Sequence, residues 1–423
     1  MALKQISTSQ VELGMYIHSF RGSWFRHPFW RAKFLLTDVE RLLAVRESAV
    51  NAVVIDTARG KDVYAPDTIS LPSGSLMVPS NKIGRWRSAR KPALPEQASA
   101  GEASQPSTPL NREFGQAQQV AGKARKVVSK VFFEARLGNA PRVAEVAPVV
   151  EDIHASIERN PHAFHVLMRC RTETEAIYQH MLAVSGLMVT LAKQLNLSKR
   201  DIHEAGMTGL LLDIGVSRLE IDPAALEYGV DALDPTLWHC HCEVGYDLLQ
   251  KAKGMPKAVL QAVMRHHEQI DGKGFPDNLH GQEINRLSRM AAICDRFDML
   301  VSGNATGQRL DPAEAMNRMM QSESAFDRDM LGQFQNALGL YPVGSFVTLR
   351  SGKVAMVVAQ DRNDPTLPTV RVFHSQATGQ AIPEKTLALA SRHGVDAVTG
   401  IADIAALGLP AADELRSRLL GAT

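Results

Sequence analysis

Asp213 stands in an otherwise apolar run, Leu210-Leu211-Leu212-Asp213-Ile214-Gly215, and any fold that buries this run must also compensate a carboxylate. Leaving it unpaired would cost on the order of several kcal/mol, so a metal or a base has to face it. Ser198 and Asp201 open the preceding segment with a helix-capping pattern. The same conflict between a polar group and an apolar stripe recurs along the chain. His180 borders the stripe Ile177, Met181, Val184, Met188, Leu191 and Leu195. His241 shares a stripe with Leu237, Val244 and Leu248 in a helix opened by Asp234 as N-cap and Pro235 as first residue, and Asp295 sits among apolar neighbours in a helix from Leu287 to Val301. Each alone reads as a satisfied core histidine, a cap or a solvated acid. A bundle whose helices face one shared cavity accounts for all of them.

The stretch His266-His267-Glu268, followed by Asp271-Gly272-Lys273-Gly274-Phe275-Pro276, reads as the rim of that cavity. The helix before it is expected to begin at Pro256 and to bury Val259, Leu260, Val263 and Met264, with the two histidines continuing the same face. Neutral imidazoles are the commonest metal ligands, and a glycine-proline turn carries the chain sharply away from them. His239-Cys240-His241-Cys242 is also rich in ligand types, but successive helical positions diverge. Of these four, His241 alone is retained as a ligand.

Organisation follows composition. Residues 4–66 read as a small α+β module, with Ala52-Val53-Val54-Ile55-Asp56 as a strand, a polar helix near Asp38 to Glu47, and Trp24, Phe25, Phe29 and Trp30 as its core. Residues 67–119 are rich in Ala, Ser, Pro, Gln and Gly, a composition expected of a disordered linker; Lys82, Arg85, Arg87, Arg90 and Lys91 form a solvated basic patch in it. Residues 121–340 are helical, and 341–423 form a β-rich extension with strands around Val347-Thr348-Leu349 and Val354-Ala355-Met356-Val357-Val358. The fold class expected is therefore mainly α, with a small sheet-containing module at each end. A net charge of +2 over 423 residues gives no case for nucleic acid. The absence of a long apolar run or a secretory leader leads us to expect a cytoplasmic protein without a membrane span. Cys170, Cys240, Cys242 and Cys294 show no paired spacing and are expected to be reduced.

The order of these residues, His, then Asp, His, and His-His-Glu-x-x-Asp-Gly-x-Gly-Phe-Pro, then Asp, resembles the HD-GYP family of bacterial cyclic di-GMP phosphodiesterases over residues 170–345. Gly14-Met15-Tyr16-Ile17 and Trp24 to Trp30 resemble a small domain of unknown function that often precedes it. The resemblance implies an HD-type helical bundle with His180, Asp213, His241, His266, His267 and Asp295 as metal ligands and Asp213 as the catalytic bridge. It implies divalent metals, with iron or manganese favoured by mixed histidine and carboxylate ligation and zinc or nickel also fitting, that promote attack of water on a phosphodiester. Cyclic di-GMP is the implied ligand, hydrolysed to pGpG or GMP. The loop Asp271 to Pro276 is the implied contact for a signalling partner such as a GGDEF-domain diguanylate cyclase.

The chain departs from the family pattern at the reacting centre. Leu212 replaces the histidine of the family's His-Asp pair, Val216 replaces a following lysine, and Asn304 and Gln308 stand where an arginine and a lysine grip substrate phosphates. Phe275 replaces the signature tyrosine, losing only a hydroxyl. Lys273, Gly274, Arg286 and Arg289 are the remaining candidates for substrate contact, with surface solvation as the alternative. The expectation is a signalling protein with reduced or lost hydrolysis and partial metal occupancy; the alternative is a working phosphodiesterase.

Overall fold

The run Ala52–Asp56 is buried at all five positions, which requires a strand flanked on both sides. The structure, a computed structural model, describes residues 3–7, 10–21, 34–36, 42, 46, 52–61, 108, 110–169, 176–219, 235–303, 309–322, 324–361, 364–392 and 396–420. Strands β1 (Leu3–Ile6), β2 (Tyr16–Arg21), β3 (Phe34–Leu35) and β4 (Ala52–Asp56) form an antiparallel sheet in the order β1-β4-β2-β3. Its core is Ile6, Val11, Met15, Ile17, Leu36, Val53 and Ile55. Trp24, Phe25, Phe29, Trp30, the basic patch and most of the expected helix near Asp38 lie outside the described residues.

The second unit, Ser104–Thr423, carries eleven α-helices among its described residues. Helix α1 (Leu110–Arg136) begins inside the stretch whose composition reads as linker up to residue 119. The cause is tertiary: Phe114 and Ala117 are buried, and the buried carboxylate of Glu113 accepts hydrogen bonds from Ser156 Oγ at 2.8 Å and Arg159 Nε at 2.7 Å. That pair ties α1 to α2 (Val143–Arg159), which α3 (Pro161–Arg169) follows.

At the centre lies α4 (Ala176–Gln194), buried continuously from Met181 to Ala192, as expected of a helix apolar on every side. It packs on α5 (Lys199–Leu211) closely enough for Ser185 Oγ to donate to Gly206 O at 2.8 Å. Ser198 caps α5 by accepting from Asp201 N at 3.2 Å. The helices α6 (Pro235–Gln250), α7 (Lys257–Arg265) and α8 (Arg286–Ser302) surround this pair, and α9 (Pro312–Gln321) and α10 (Arg328–Leu338) close the bundle. Pro256 is the N-cap of α7 rather than its first helical residue.

Strands β5 (Phe346–Leu349), β6 (Lys353–Ala359), β7 (Thr369–Ser375), β8 (Gln380–Ala388) and β9 (Val398–Ile401) form the C-terminal antiparallel sheet, ordered β8-β7-β6-β5-β9, before α11 (Ala412–Leu420). Phe346, Val354 and Val370 of the sheet share one apolar cluster with Phe114 of α1, Val166 of α3 and Leu419 of α11. Arg169 Nη1 donates to Val343 O at 2.8 Å and Arg416 Nε to Gly344 O at 2.9 Å, fixing the turn that leads into β5. No helix among the described residues is long and apolar enough to cross a membrane.

Candidate metal centre

Asp213 reaches the centre of the bundle because α5 stops one residue short of Leu212 and the chain tightens into a 3-10 turn, Ile214–Arg218. Asp213 is 2 % exposed. The turn can approach α6 only because residue 215 is glycine: a Cβ there would lie 2.0 Å from His241 O and 2.6 Å from Gly245 N. This contact sets His241 over Asp213, with Nε2 3.4 Å from Asp213 Oδ1. The chain leaves α7 at its C-cap, His266, whose Nε2 lies 3.7 Å from the same oxygen and 3.1 Å from His241 Nε2.

The other nitrogens of these rings are committed. His241 Nδ1 donates to Trp238 O, and His266 Nδ1 donates to Val263 O at 2.8 Å. With those protons fixed outward, both Nε2 atoms present lone pairs inward, toward each other and toward Asp213 Oδ1. Asp213 Oδ1 and His267 Nε2 are buried without a hydrogen-bond partner among the described residues. Converging acceptors of this kind require a positive centre between them, and the donor set therefore fits a cation.

On the far side of Asp213, His180 Nε2 lies 3.3 Å from Asp213 Oδ2 and 3.0 Å from Asp295 Oδ1, while its Nδ1 faces Asp298 Oδ2 at 2.8 Å. His267 Nδ1 is 3.8 Å from Asp295 Oδ2. The structure thus brings together all six residues singled out as ligands: His180, Asp213, His241, His266, His267 and Asp295.

The electrostatics follow from burial and crowding. Burial opposes ionisation of Asp213, but the His180, His266 and His241 imidazoles beside it hold its carboxyl well below the usual range. Burial likewise opposes charge on His180, but Asp213, Asp295 and Asp298 raise it well above the ordinary histidine value. Burial takes His241 down to about 4, against the pull of Asp213, and His267 falls well below its ordinary value through burial and its imidazole neighbours. His266 moves up because Asp213 outweighs the effect of burial.

Two residues in this cluster were not among those expected from sequence. Asp298 follows Asp295 by three residues, a spacing that places both on one face of α8 and was visible in advance. Cys242 is the other: its Sγ lies 3.5 Å from His241 Nε2. His241, Cys242, His266 and His267 each offer a ligand atom within 4.8 Å of the others, a group that could hold a metal ion. The divergence of successive helical positions excluded Cys242, but the length of the imidazole brings its far nitrogen back beside the neighbouring sulfur.

The loop after His267 is held by Glu268, whose buried carboxylate accepts from Asp277 N at 2.6 Å and Leu279 N at 3.0 Å. Phe275 packs at a tilt on His267 and stacks on His239, with centroids 4.6 Å and 3.9 Å apart, beside the cluster.

The residues expected to contact substrate fare differently. Gly274 is buried, and a Cβ there would lie 2.5 Å from His267 O, so its place reflects packing of the loop. Lys273 is exposed and pairs with Asp271 at 3.1 Å. Arg286 precedes Asp295 by nine residues, about half a rotation out of phase at about 100° per residue, and pairs with Asp201 instead. Arg289 pairs with Asp327. Neither arginine is brought to the cluster. Leu212 and Val216 are buried apolar side chains flanking Asp213, while Asn304 and Gln308 lie outside the described residues.

Comparison with known proteins bears on the family. A family model described as HD domain matches residues 160–330, and one described as Domain of unknown function (DUF3391) matches residues 3–146. Over 424 aligned positions the chain is 33% identical to cyclic di-GMP phosphodiesterase PA4108 of Pseudomonas aeruginosa, covering 100% of this chain and 97% of that one. The chain belongs to the HD-GYP family. Two further relatives match part of this HD-GYP chain. The cyclic di-GMP phosphodiesterase response regulator RpfG of Xanthomonas campestris pv. campestris is 34% identical over 131 residues, 30% of this chain and 34% of that one. The 3'3'-cGAMP-specific phosphodiesterase 1 of Vibrio cholerae is 29% identical over 155 residues, 36% and 35% of the two chains.

Proposed function

We propose that this HD-GYP protein holds a divalent metal at Asp213 and binds cyclic di-GMP, with phosphodiester hydrolysis reduced or lost. The observation that carries the metal part is the convergence of Asp213 Oδ1, His241 Nε2 and His266 Nε2 as acceptors, beside the unpartnered His267 Nε2. In this reading His180, Asp213, His241, His266, His267 and Asp295 hold the metal, iron or manganese in first place and zinc or nickel also fitting. Asp298 orients His180 through Nδ1. When bound, the metal would lower the pKa of water and offset charge on the phosphodiester. Asp213 contributes fixed negative charge, held ionised by its histidine neighbours. Phe275 packs at a tilt on His267, beside the cluster.

The reduction in hydrolysis rests on Leu212 and Val216. Both are buried beside Asp213, and neither offers a ligand atom or a charge to a reacting phosphate. Lys273, exposed on the loop where it pairs with Asp271, is the expected substrate contact on the loop itself, and would exchange that carboxylate for a phosphate or for a GGDEF-domain partner. The second reading, a working phosphodiesterase, is favoured by the convergence of all six expected ligands and by the full-length similarity to a protein named a cyclic di-GMP phosphodiesterase.

Metal analysis and a cyclic di-GMP binding and hydrolysis assay on one purified sample test the proposal. Metal with nucleotide binding and slow or absent turnover is expected. Rapid turnover would establish the second reading, and a protein that takes up no metal under any condition would sink both.

A further inference from the structure

Cys242 is a buried thiol next to His241 in sequence, and buried cysteines are by default small apolar residues. Cys294 provides the comparison within this chain. It is buried and adjacent in sequence to Asp295, yet it is not part of the group of converging ligand atoms, whereas Cys242 is. Cys242 Sγ, His241 Nε2 and His266 Nε2 are separated by successive steps of 3.5 Å and 3.1 Å. A tetrahedral ion with metal-nitrogen bonds of about 2.0 Å and one metal-sulfur bond of about 2.3 Å places its nitrogens about 3.3 Å apart and its sulfur about 3.5 Å from each nitrogen, close to these steps. Independent of the sulfur, the unpartnered Oδ1 of the buried Asp213 lies 3.4 Å from His241 Nε2 and 3.7 Å from His266 Nε2, and His267 offers a ligand atom within 4.8 Å of those of His241, Cys242 and His266.

On the reading that this is a metal centre, we infer that Cys242 is a metal ligand. It joins His241, His266 and His267 in the donor set around Asp213 Oδ1, adding a donor to a set from which Leu212 has removed one. Coordination forms a metal-sulfur bond as the thiol loses its proton to solvent. Because sulfur is a soft ligand, the set shifts preference from iron and manganese toward zinc. Cys240 is exposed on the other side of His241 and takes no part.

Cobalt(II), a spectroscopic substitute for zinc, tests this in the full-length protein stripped of metal. Cobalt bound to a thiolate gives a near-ultraviolet charge-transfer band, while its visible ligand-field bands report binding whatever the ligands. The expected result is both sets of bands in the parent protein and in Cys240→Ser, with the charge-transfer band lost and cobalt affinity lowered about tenfold or more in Cys242→Ser. Visible bands without a charge-transfer band in the parent, or a band undiminished in Cys242→Ser, would overturn the thiolate while leaving the metal centre intact. Neither band in folded protein would overturn both. Should Cys242→Ser fail to fold, zinc-edge X-ray absorption of the zinc-loaded parent and Cys240→Ser decides: one sulfur per zinc in both proteins is expected, and an all-nitrogen and oxygen shell rejects the inference.

Discussion

His241 Nε2 and His266 Nε2 stand 3.1 Å apart, each ring anchored through Nδ1 to a backbone carbonyl one turn back. Two acceptors at that distance repel unless a proton or a metal ion lies between them. The helices that carry them are therefore held together by whatever positive charge they share.

Removal of that charge should be measurable as lost stability. A ligand that binds only the folded state stabilises it by about 2.7 kcal/mol at a concentration one hundred times its dissociation constant. Chelation of metal-loaded protein should lower its Tm by roughly 5 °C or more, and His266→Ala should remove most of that response. Calorimetry with and without chelator checks it; a Tm unmoved by chelation in a sample known to contain metal would place the ion elsewhere.

Leu212→His combined with Val216→Lys should raise cyclic di-GMP hydrolysis about a hundredfold or more over the parent, since each change returns an electrostatic contact worth a few kcal/mol, roughly a hundredfold in rate, to the reacting centre. Steady-state rates of the two proteins at saturating metal make the comparison. Equal and rapid rates would mean that the parent has no deficit to repair.

Gly215→Ala should disturb the centre without touching a ligand. Its Cβ would lie 2.0 Å from His241 O, so α6 must move. The expected destabilisation is about 1–3 kcal/mol, as for overpacking elsewhere, with weaker metal retention. Denaturant unfolding and elemental analysis test the two consequences separately.

His165, on α3, should make stability sensitive to acid. Burial takes its pKa down to about 3, and its Nε2 pairs with Thr190 Oγ1 at 2.8 Å. The depressed value means that the unfolded chain binds the proton more readily. The stabilising contribution is complete above the unfolded value near 6.5 and is lost as pH falls toward the folded value. Between pH 7 and pH 5 the loss is about 2 kcal/mol. His165→Gln should flatten that part of the stability curve, and an unchanged slope in urea melts would show that His165 is not the source.

The clustering of His180, Asp213, His241, His266, His267 and Asp295 was legible because each member interrupts an apolar stripe, and interruptions of that kind need a partner. Asp213 in its leucine run and His241 beside Leu237 and Val244 are examples. Cys242 was not legible, because helical phase alone cannot foresee a long side chain folding back on its neighbour. The pairing of Arg286 and Arg289 was hidden for a related reason: closeness in sequence to the signature loop says nothing of helical phase, and α8 turns them toward Asp201 and Asp327. The start of α1 at Leu110 was hidden as well, since the residues around it have a linker's composition and only the pairing of Glu113 with Arg159 and Ser156 calls for order there.

The apolar cluster joining Phe114, Val166, Phe346 and Leu419 bears on what evolution can exchange in this lineage. The HD match ends at residue 330 and the preceding match ends at residue 146, inside α2, so neither boundary falls where the folded mass divides. A recombination at either point would strip the bundle of its α1 cover or leave the faces of β5, β6 and β7 open to water. Helix α1, the bundle and the terminal sheet are therefore inherited as a block, and substitutions at Phe114 are constrained by residues more than two hundred positions away.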